Sequence, residues 1–570
     1  MKHPILLLLC CINFILTANG QPQPKSYPQG YFRNPLNIPI SLSGNFGELR
    51  PNHYHMGLDL KTNARENLPV YAAADGYIGR IKIEPAGFGR ALYIYHPNGF
   101  TTLYAHMNDF NPKIEAYLKR EQYKQEKWHI QLEVPSNELP VKKGEFIGYS
   151  GNTGGSQAPH LHFEIRRTND DVNVNPALFG FPITDNVSPR LLRLGIYDRT
   201  KSVYQQSPKI YPLKAGPGGR YNVAGVIRVS SPLVSFGISA WDTHTGSSNL
   251  NGIYTATLYS EDMPVAGFVM DDISYNDTRY LNAHIDYRLR QTSNIYMQHL
   301  SELPGYINSI YWKREGTNGV VDVSDGEVHS FKVTVDDAHG NDAELTFAVQ
   351  YDGTTQASGS YSGRMFYPFM VDVYEAGDAE FIVGEQCLYD SVALSHRSTP
   401  ATSPNAVSRI HSFGASHIPM QDSMVVRIRP TRSLSPAEKE RTVMQWFAGT
   451  KKSVQKVEWQ GDWASAQFRD LGSYQLLIDD EPPVILPSGF ADGSDLSRAS
   501  RIVFTVKDNL EKFKNVRTEI DGKWIRFTND KGRTFIYRFD EKCLPGDHEL
   551  MIRAEDEAGN ITERRYRFKR

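Results

Sequence analysis

Residues 151–166 read GNTGGSQAPHLHFEIR, and the stretch poses a choice between two kinds of site. A phosphate-binding loop would close on Gly-Lys-Ser/Thr and run into a helix, so that backbone N–H groups and the helix dipole face the anion. Here no lysine follows the glycines, and Pro159 leads into an alternating heptapeptide. Leu161, Phe163 and Ile165 fall on one side, and His160, His162 and Glu164 on the other. A period of two is a strand with one buried face. The two histidines therefore project together, their Cα atoms roughly 6–7 Å apart. The segment predicts a strand presenting a metal or acid–base site.

Around it the chain runs to 570 residues, which suggests roughly three to five domains. A net charge of −2 gives no electrostatic footprint for nucleic acid or an anionic membrane. The first residues, MKHPILLLLCCINFILTANGQ, combine Lys2, an apolar run from Ile5 to Leu16 and a small-x-small pattern at Ala18–Gly20. That is a signal peptide over 1–20, and it predicts an exported protein, periplasmic or released, with no stable transmembrane segment. Cys10 and Cys11 leave with it. Cys387 and Cys543 remain, either as one disulfide between domains or as two buried thiols.

The fold class expected is mainly all-β. Residues 21–40 are proline-rich and read as an extended lead-in. Residues 41–185 carry short strands punctuated by Asp75-Gly76 and Asn98-Gly99, and form an antiparallel sheet domain. Within it, 112–136 has the composition of an inserted helix followed by a strand, its mixed charges forming a solvated face. Beyond 185, VTVDDAHGNDAELTFAV (333–349) and IRAEDEAGNITERRYRF (552–568) share strand, Asp-x-x-Gly-Asn, strand. DNVSPRLLRL (185–194) and DDEPPVILP (479–487) likewise place Asp and Pro before an apolar strand. These repeats predict immunoglobulin-like β-sandwiches: a sandwich over 186–360, a β-rich domain over 361–480 and a further sandwich over 481–570. The Asp-x-x-Gly-Asn segments lack the carboxylate density of a calcium loop and read as turn formers. SPAEKERTVMQWF (435–447) is the one helix expected in this half, from its Ser-Pro-x-Glu start.

Seven of the 17 histidines lie between 53 and 162. In HMGLDL, positions 55, 57 and 59 share a strand face, and Gly57 leaves room for an ion between His55 and Asp59. In TTLYAHM, Tyr104 and His106 share a face. With His160 and His162 the domain offers four imidazoles and a carboxylate. Two imidazoles and one carboxylate suit Zn²⁺ with a fourth position left to water. The other two imidazoles can move protons or steady an oxyanion. His53 reads as surface or substrate-facing, His96 as turn support and His129 as solvated.

HxxxD, YAH and GNTGGSxxPHLHFEIR, in that order, resemble the lysostaphin and LytM-type zinc endopeptidases, metallopeptidase family M23. FGELR (46–50), VYAAADGYI (70–78) and VKKGEFIGYSGNTG (141–154) support the likeness, which covers about 41–180. The resemblance implies Zn²⁺ held by His55, Asp59 and His162, with His106 and His160 as acid–base or oxyanion-stabilising residues. It also implies a groove over an antiparallel sheet and hydrolysis of peptide bonds in peptidoglycan stem peptides or cross-bridges. The loop Ser156-Gln157-Ala158-Pro159 departs from the family's usual glycine-containing ending, which bears on groove shape. A rival reading is a non-catalytic wall-binding scaffold that activates a partner hydrolase, with envelope proteins bound through the C-terminal sandwiches.

Overall fold

The computed structural model describes residues 25–306, 309–354 and 362–570. The segment 1–20, expected to be a signal peptide, lies outside the described residues. The fold is all-β with short helices, and its first unit is a ten-stranded sheet. The central order is Leu42–Gly44, Leu58–Lys61, His160–Arg167, Phe100–Ala105, Arg90–Tyr95, Gly76–Ile83 and Pro140–Val141. Alternation decides which face is wet. Leu58, Leu60, Leu161, Phe163, Ile165, Leu92 and Ile94 all turn into one core, each contributing roughly 1.5–3 kcal/mol on burial. Asp59, His160 and His162 turn the other way. Phe32 and Leu36 are buried in the same core, and Leu36 bridges Val70, so the lead-in is packed onto the domain.

The helix Pro112–Gln125 forms where expected. Asn111 accepts from the Ile114 N–H at 2.9 Å, Pro112 opens the first turn, and Glu126 ends the helix at φ 50°. Ile130–Glu133 then pairs with Gly76–Ile83. Of the helix charges, Lys113, Arg120 and Lys124 form the expected solvated face, but others are engaged. Lys119 pairs with Asp540 at 2.6 Å, Arg526 with Glu115 at 3.2 Å and Arg517 with Glu126 at 2.8 Å. Tyr123 packs edge-on against Trp524, their centroids 5.1 Å apart. The partners all come from the last sandwich, whose docking no local pattern announces.

Residues 190–351 build two facing sheets, with Phe236 of one packed against Phe331 and Phe347 of the other at 4.7 and 5.0 Å. Residues 364–478 build two more, closed by Phe381 stacked on Phe413 at 4.3 Å. Residues 484–569 repeat the arrangement around Phe504 and Phe535. In both the first and last sandwiches a strand runs parallel to the final one: Arg220–Val229 beside Asp342–Tyr351, and Ser494–Asp495 beside Ile561–Lys569. Phe46, Tyr54 and Met56 of the first unit join the core of the sandwich that follows.

Two expectations need correction here. In 435–447 only Pro436–Glu440 is helical, and Thr442–Ala448 is a strand between Lys451–Lys456 and Gly472–Ile478. The capping box of Ser435 and Glu438 is real, but β-branched and aromatic residues with two strand partners override it. Conversely, residues 275–293 carry a 3-10 turn and two short helices inside the first sandwich, where only strands were expected. Of the two arrangements left open for Cys387 and Cys543, the structure has the second: both are free and buried.

Candidate metal centre and its groove

Strand register assembles the centre. His162 lies opposite Asp59 on one side and Ala105 on the other. His55 sits in the connection just before Leu58–Lys61 and is 2% exposed. Its Nδ1–H donates to the Asn45 carbonyl at 2.7 Å, which leaves Nε2 as a bare lone pair. His162 is set the opposite way: Nε2–H donates to Glu164 at 2.8 Å, and Nδ1 is bare. His55 Nε2, His162 Nδ1 and Asp59 Oδ1 therefore converge, at 3.0 Å between the imidazoles and 3.0 and 2.9 Å from each to the carboxylate.

Three lone-pair donors this close repel unless a cation or a proton lies among them. Burial alone would lower the His162 imidazole, but the Asp59 and Glu164 carboxylates bonded to its two nitrogens raise it to about 9. Burial lowers His55 to about 4 against the pull of Asp59. A divalent cation that takes nitrogen and carboxylate ligands fits this set and would displace the His162 proton.

His106 and His160 join the cluster by different routes. Tyr104 and His106 do not share a face. Tyr104 is buried in the core, its hydroxyl accepting from the Ala73 N–H, and the strand ends at Ala105. His106 then adopts φ 59°, a left-handed conformation unusual for a non-glycine residue, which swings its ring to the opposite side. Its Nδ1–H donates to Thr153 O at 2.9 Å. His160 Nδ1–H donates to Ala158 O at 2.8 Å, and its Nε2 stands 3.3 Å from Asp59 Oδ1. Both rings thus present a bare Nε2, their centroids 4.8 Å apart. Burial, then the neighbouring His162 and His160, lowers His106 to about 3, so it is neutral.

Gly57 works differently from the expectation as well. A Cβ there would run into the Phe163 carbonyl and Glu164 Cγ, so the glycine permits close approach to the strand His160–Arg167 rather than making room for an ion. His53 is exposed and lines the groove. His96 is buried between Asp75 O and Thr102 Oγ1, both at 2.8 Å, away from the site, and His129 is exposed. The groove has a volume of about 790 Å³, with His106, His160, Phe88 and Tyr275 on its walls.

The profile of Peptidase family M23 matches residues 53–123 and 129–176. The DD-carboxypeptidase/endopeptidase Mpg of Neisseria meningitidis serogroup B is 36% identical over 119 residues, 21% of each chain. Residues 53–176 form an M23 peptidase domain of the lysostaphin/LytM type. Glycyl-glycine endopeptidase ALE-1 of Staphylococcus capitis is 31% identical over 150 residues, covering 26% of this chain and 32% of that protein. The crystallised catalytic domain of lysostaphin from Staphylococcus simulans is 24% identical, covering 23% of this chain and 85% of that one, with a TM-score of 0.18. The chain thus spans about a fifth to a third of the length of these curated relatives. The M23 match is interrupted at 124–128, the end of the helix, and not across all of 112–136. A Zu5-like domain profile matches 365–479.

Sequence reasoning missed several residues that hold the M23 site. Glu164 is fully buried, bonded to Arg166 and to Asn173 Nδ2, both at 2.7 Å. Its alternation with His162 was the available signal. Arg50 pairs with Asp59 Oδ2, leaving Oδ1 to face the imidazoles. Tyr275 arrives from the sandwich, 5.9 Å from the Phe88 ring and 4.9 Å from the Arg166 guanidinium. Nothing local to Tyr275 points to the groove.

Proposed function

We propose that this is an exported zinc-dependent endopeptidase that hydrolyses peptide bonds in peptidoglycan stem peptides or cross-links. The observation that carries the reading is the convergence of His55 Nε2, Asp59 Oδ1 and His162 Nδ1, each turned inward by a partner that holds the group's other polar atom. His55, Asp59 and His162 would hold the cation. Bound there, it supplies Lewis-acid polarisation of a carbonyl and acidification of water. Arg50 keeps Asp59 to a single inward oxygen. Glu164, neutralised by Arg166, keeps the His162 ring turned with Nδ1 inward. His106 and His160, each with Nδ1–H tied to a backbone carbonyl, offer Nε2 to accept a proton and, once protonated, to donate to an oxyanion.

Purified sacculi digested by the protein, with and without a chelator, test this. New amino termini in the peptide portion, lost on chelation and restored by Zn²⁺, are expected. Unchanged cross-linking with zinc-loaded protein refutes the enzyme and leaves the wall-binding scaffold.

A further inference from the structure

The first sandwich begins at Asp185, and this residue opens a second cluster remote from the groove. Asp185 Oδ1 is satisfied by the Val187 and Thr245 N–H groups at 3.1 and 3.2 Å. Its Oδ2 is buried without a hydrogen-bond partner, the side chain being 0% exposed. His244 Nε2 and His339 Nδ1 face that oxygen at 3.7 and 3.8 Å, too far for a hydrogen bond. Asp242 Oδ1, in a residue 1% exposed, also lacks a partner. Donor atoms of Asp185, His244 and His339 all lie within 4.8 Å of one another, as do those of Asp185, Asp242 and Asp337. Asp337 is already engaged, taking the N–H groups of His339 and Asn341 on Oδ1 and the Asn341 amide on Oδ2.

The last sandwich supplies an internal control. Its Asp556 and Asn560 bond as Asp337 and Asn341 do, and Asn560 reaches Asp479 O as Asn341 reaches Asp185 O. In this shared frame Asp242 corresponds to Asp508, but His244 corresponds to Leu510 and His339 to Ala558. Leu510 and Ala558 sit in an apolar cluster with Val443 and Leu477, and Asp479 is satisfied by Asn509 at 2.9 Å. The first sandwich carries imidazoles at both apolar positions and leaves Asp185 Oδ2 bare, whereas the bare Oδ1 of Asp242 is shared by Asp508 in the last sandwich.

We propose that Asp185, His244 and His339, with Asp242 as fourth donor, form a second site for a divalent transition metal, zinc by its ligand set. Two imidazoles and two carboxylates close a tetrahedral shell, which makes the site structural. Donors around zinc stand about 3.4 Å apart, given bonds near 2.1 Å, so the contacts of Asp185 Oδ2 with His244 and His339, at 3.7 and 3.8 Å, need to close by a few tenths of an ångström. A void of about 10 Å³ already lies against His244, Asp242 and His339, and its far wall is Asn45 and Phe46 of the peptidase domain. The site also touches the first centre through the chain. The Asn251 amide donates to His244 Nδ1, and a metal on Nε2 requires that amide turned so that its unpartnered Oδ1 accepts the Nδ1–H instead; Gly252 exchanges two hydrogen bonds with the Asn45 side chain, and the Asn45 carbonyl holds His55. A metal at the seam would lock the sandwich against the loop that orients His55.

Metal content of the full chain, stripped by chelator, reloaded with Zn²⁺ and freed of excess, tests the assignment by direct elemental counting. Two zinc ions per chain are expected for the unaltered protein, and one for either His244→Leu/His339→Ala or His55→Ala/His162→Ala. The first pair installs the residues of the last sandwich. A single zinc per unaltered chain that is lost in His55→Ala/His162→Ala, or an unchanged count in His244→Leu/His339→Ala, overturns the proposal. If that variant does not fold, His55→Ala/His162→Ala decides alone. One retained zinc that raises the melting temperature supports the seam site, and none refutes it whether or not the groove is a peptidase.

Discussion

His162 and Glu164, two residues apart on one strand, form a buried imidazole–carboxylate pair with Nε2 to Oε1 at 2.8 Å. Burial alone would raise the glutamate, yet Arg166 and His162 hold it down to about 2, so it is an anion wherever the protein is folded. Partners of this kind fix the tautomer and raise the basicity of a ligand. Glu164→Gln keeps the shape and an acceptor oxygen but removes the charge. It is expected to lower zinc affinity about 10–100-fold in a competition titration against a chromophoric chelator. Equal affinity in the two proteins would show that the pair is structural only.

A different signature is expected at His106 and His160. Neither of their Nε2 atoms is among the three converging donors, so His106→Asn and His160→Ala should retain zinc. Each should lose about 10²–10⁴-fold in kcat on a peptide substrate. Asparagine is chosen at 106 because it tolerates the left-handed backbone there. His106→Ala should cost an additional ~1 kcal/mol or more in urea unfolding. A zinc content that falls with kcat would move either residue into the ligand set.

These two cases show what the residues could disclose in advance. Alternation in HLHFEIR gave the strand, its wet face and its two histidines, because a period of two is a local property. It failed at His106, where one backbone rotation reverses the side that alternation assigns. It failed again at Gly57, whose role depends on a strand more than 100 residues downstream. Arg50 and Glu164 lie within five residues of expected ligands and Asn45 within ten, yet only tertiary pairing shows what they hold. Tyr275 and the last sandwich reach the groove from segments whose sequence speaks only of strands and turns.

The contact between the last sandwich and the glycine-rich loop supplies a third prediction. Lys531 Nζ donates to Ser156 O at 2.9 Å and Gly154 O at 3.3 Å, and the Gly154 N–H donates to Asp530 O at 3.1 Å. The same loop holds His160 through Ala158 O and Ser156 Oγ. Lys531→Ala should therefore loosen the wall that orients His160. A severalfold drop in kcat/KM is expected, with zinc content unchanged and faster proteolytic nicking at 154–158. Wild-type kinetics would make the last sandwich a passive neighbour of the groove.

Buried neutral histidines should set the acid limit of the fold, and His96 gives a clean case because it lies outside the groove. Burial lowers its imidazole from the usual 6.5 to about 4, and its two nitrogens are engaged by Asp75 O and Thr102 Oγ1. The unfolded chain takes up a proton at this residue near pH 6.5, whereas the folded chain resists until pH 4. Between those values the unfolded state binds more protons, so stability is fully present above 6.5 and falls as pH drops toward 4. At pH 5 the loss attributable to His96 is about 2 kcal/mol. His284, fully buried and also lowered to about 4, adds a loss of the same sign. Urea midpoints measured from pH 7.5 to 5 should decline for the unaltered protein and decline less steeply for His96→Gln, which keeps a donor and an acceptor but cannot titrate. A slope identical in both proteins would mean that the ring is already charged in the folded state or that the site relaxes to admit water.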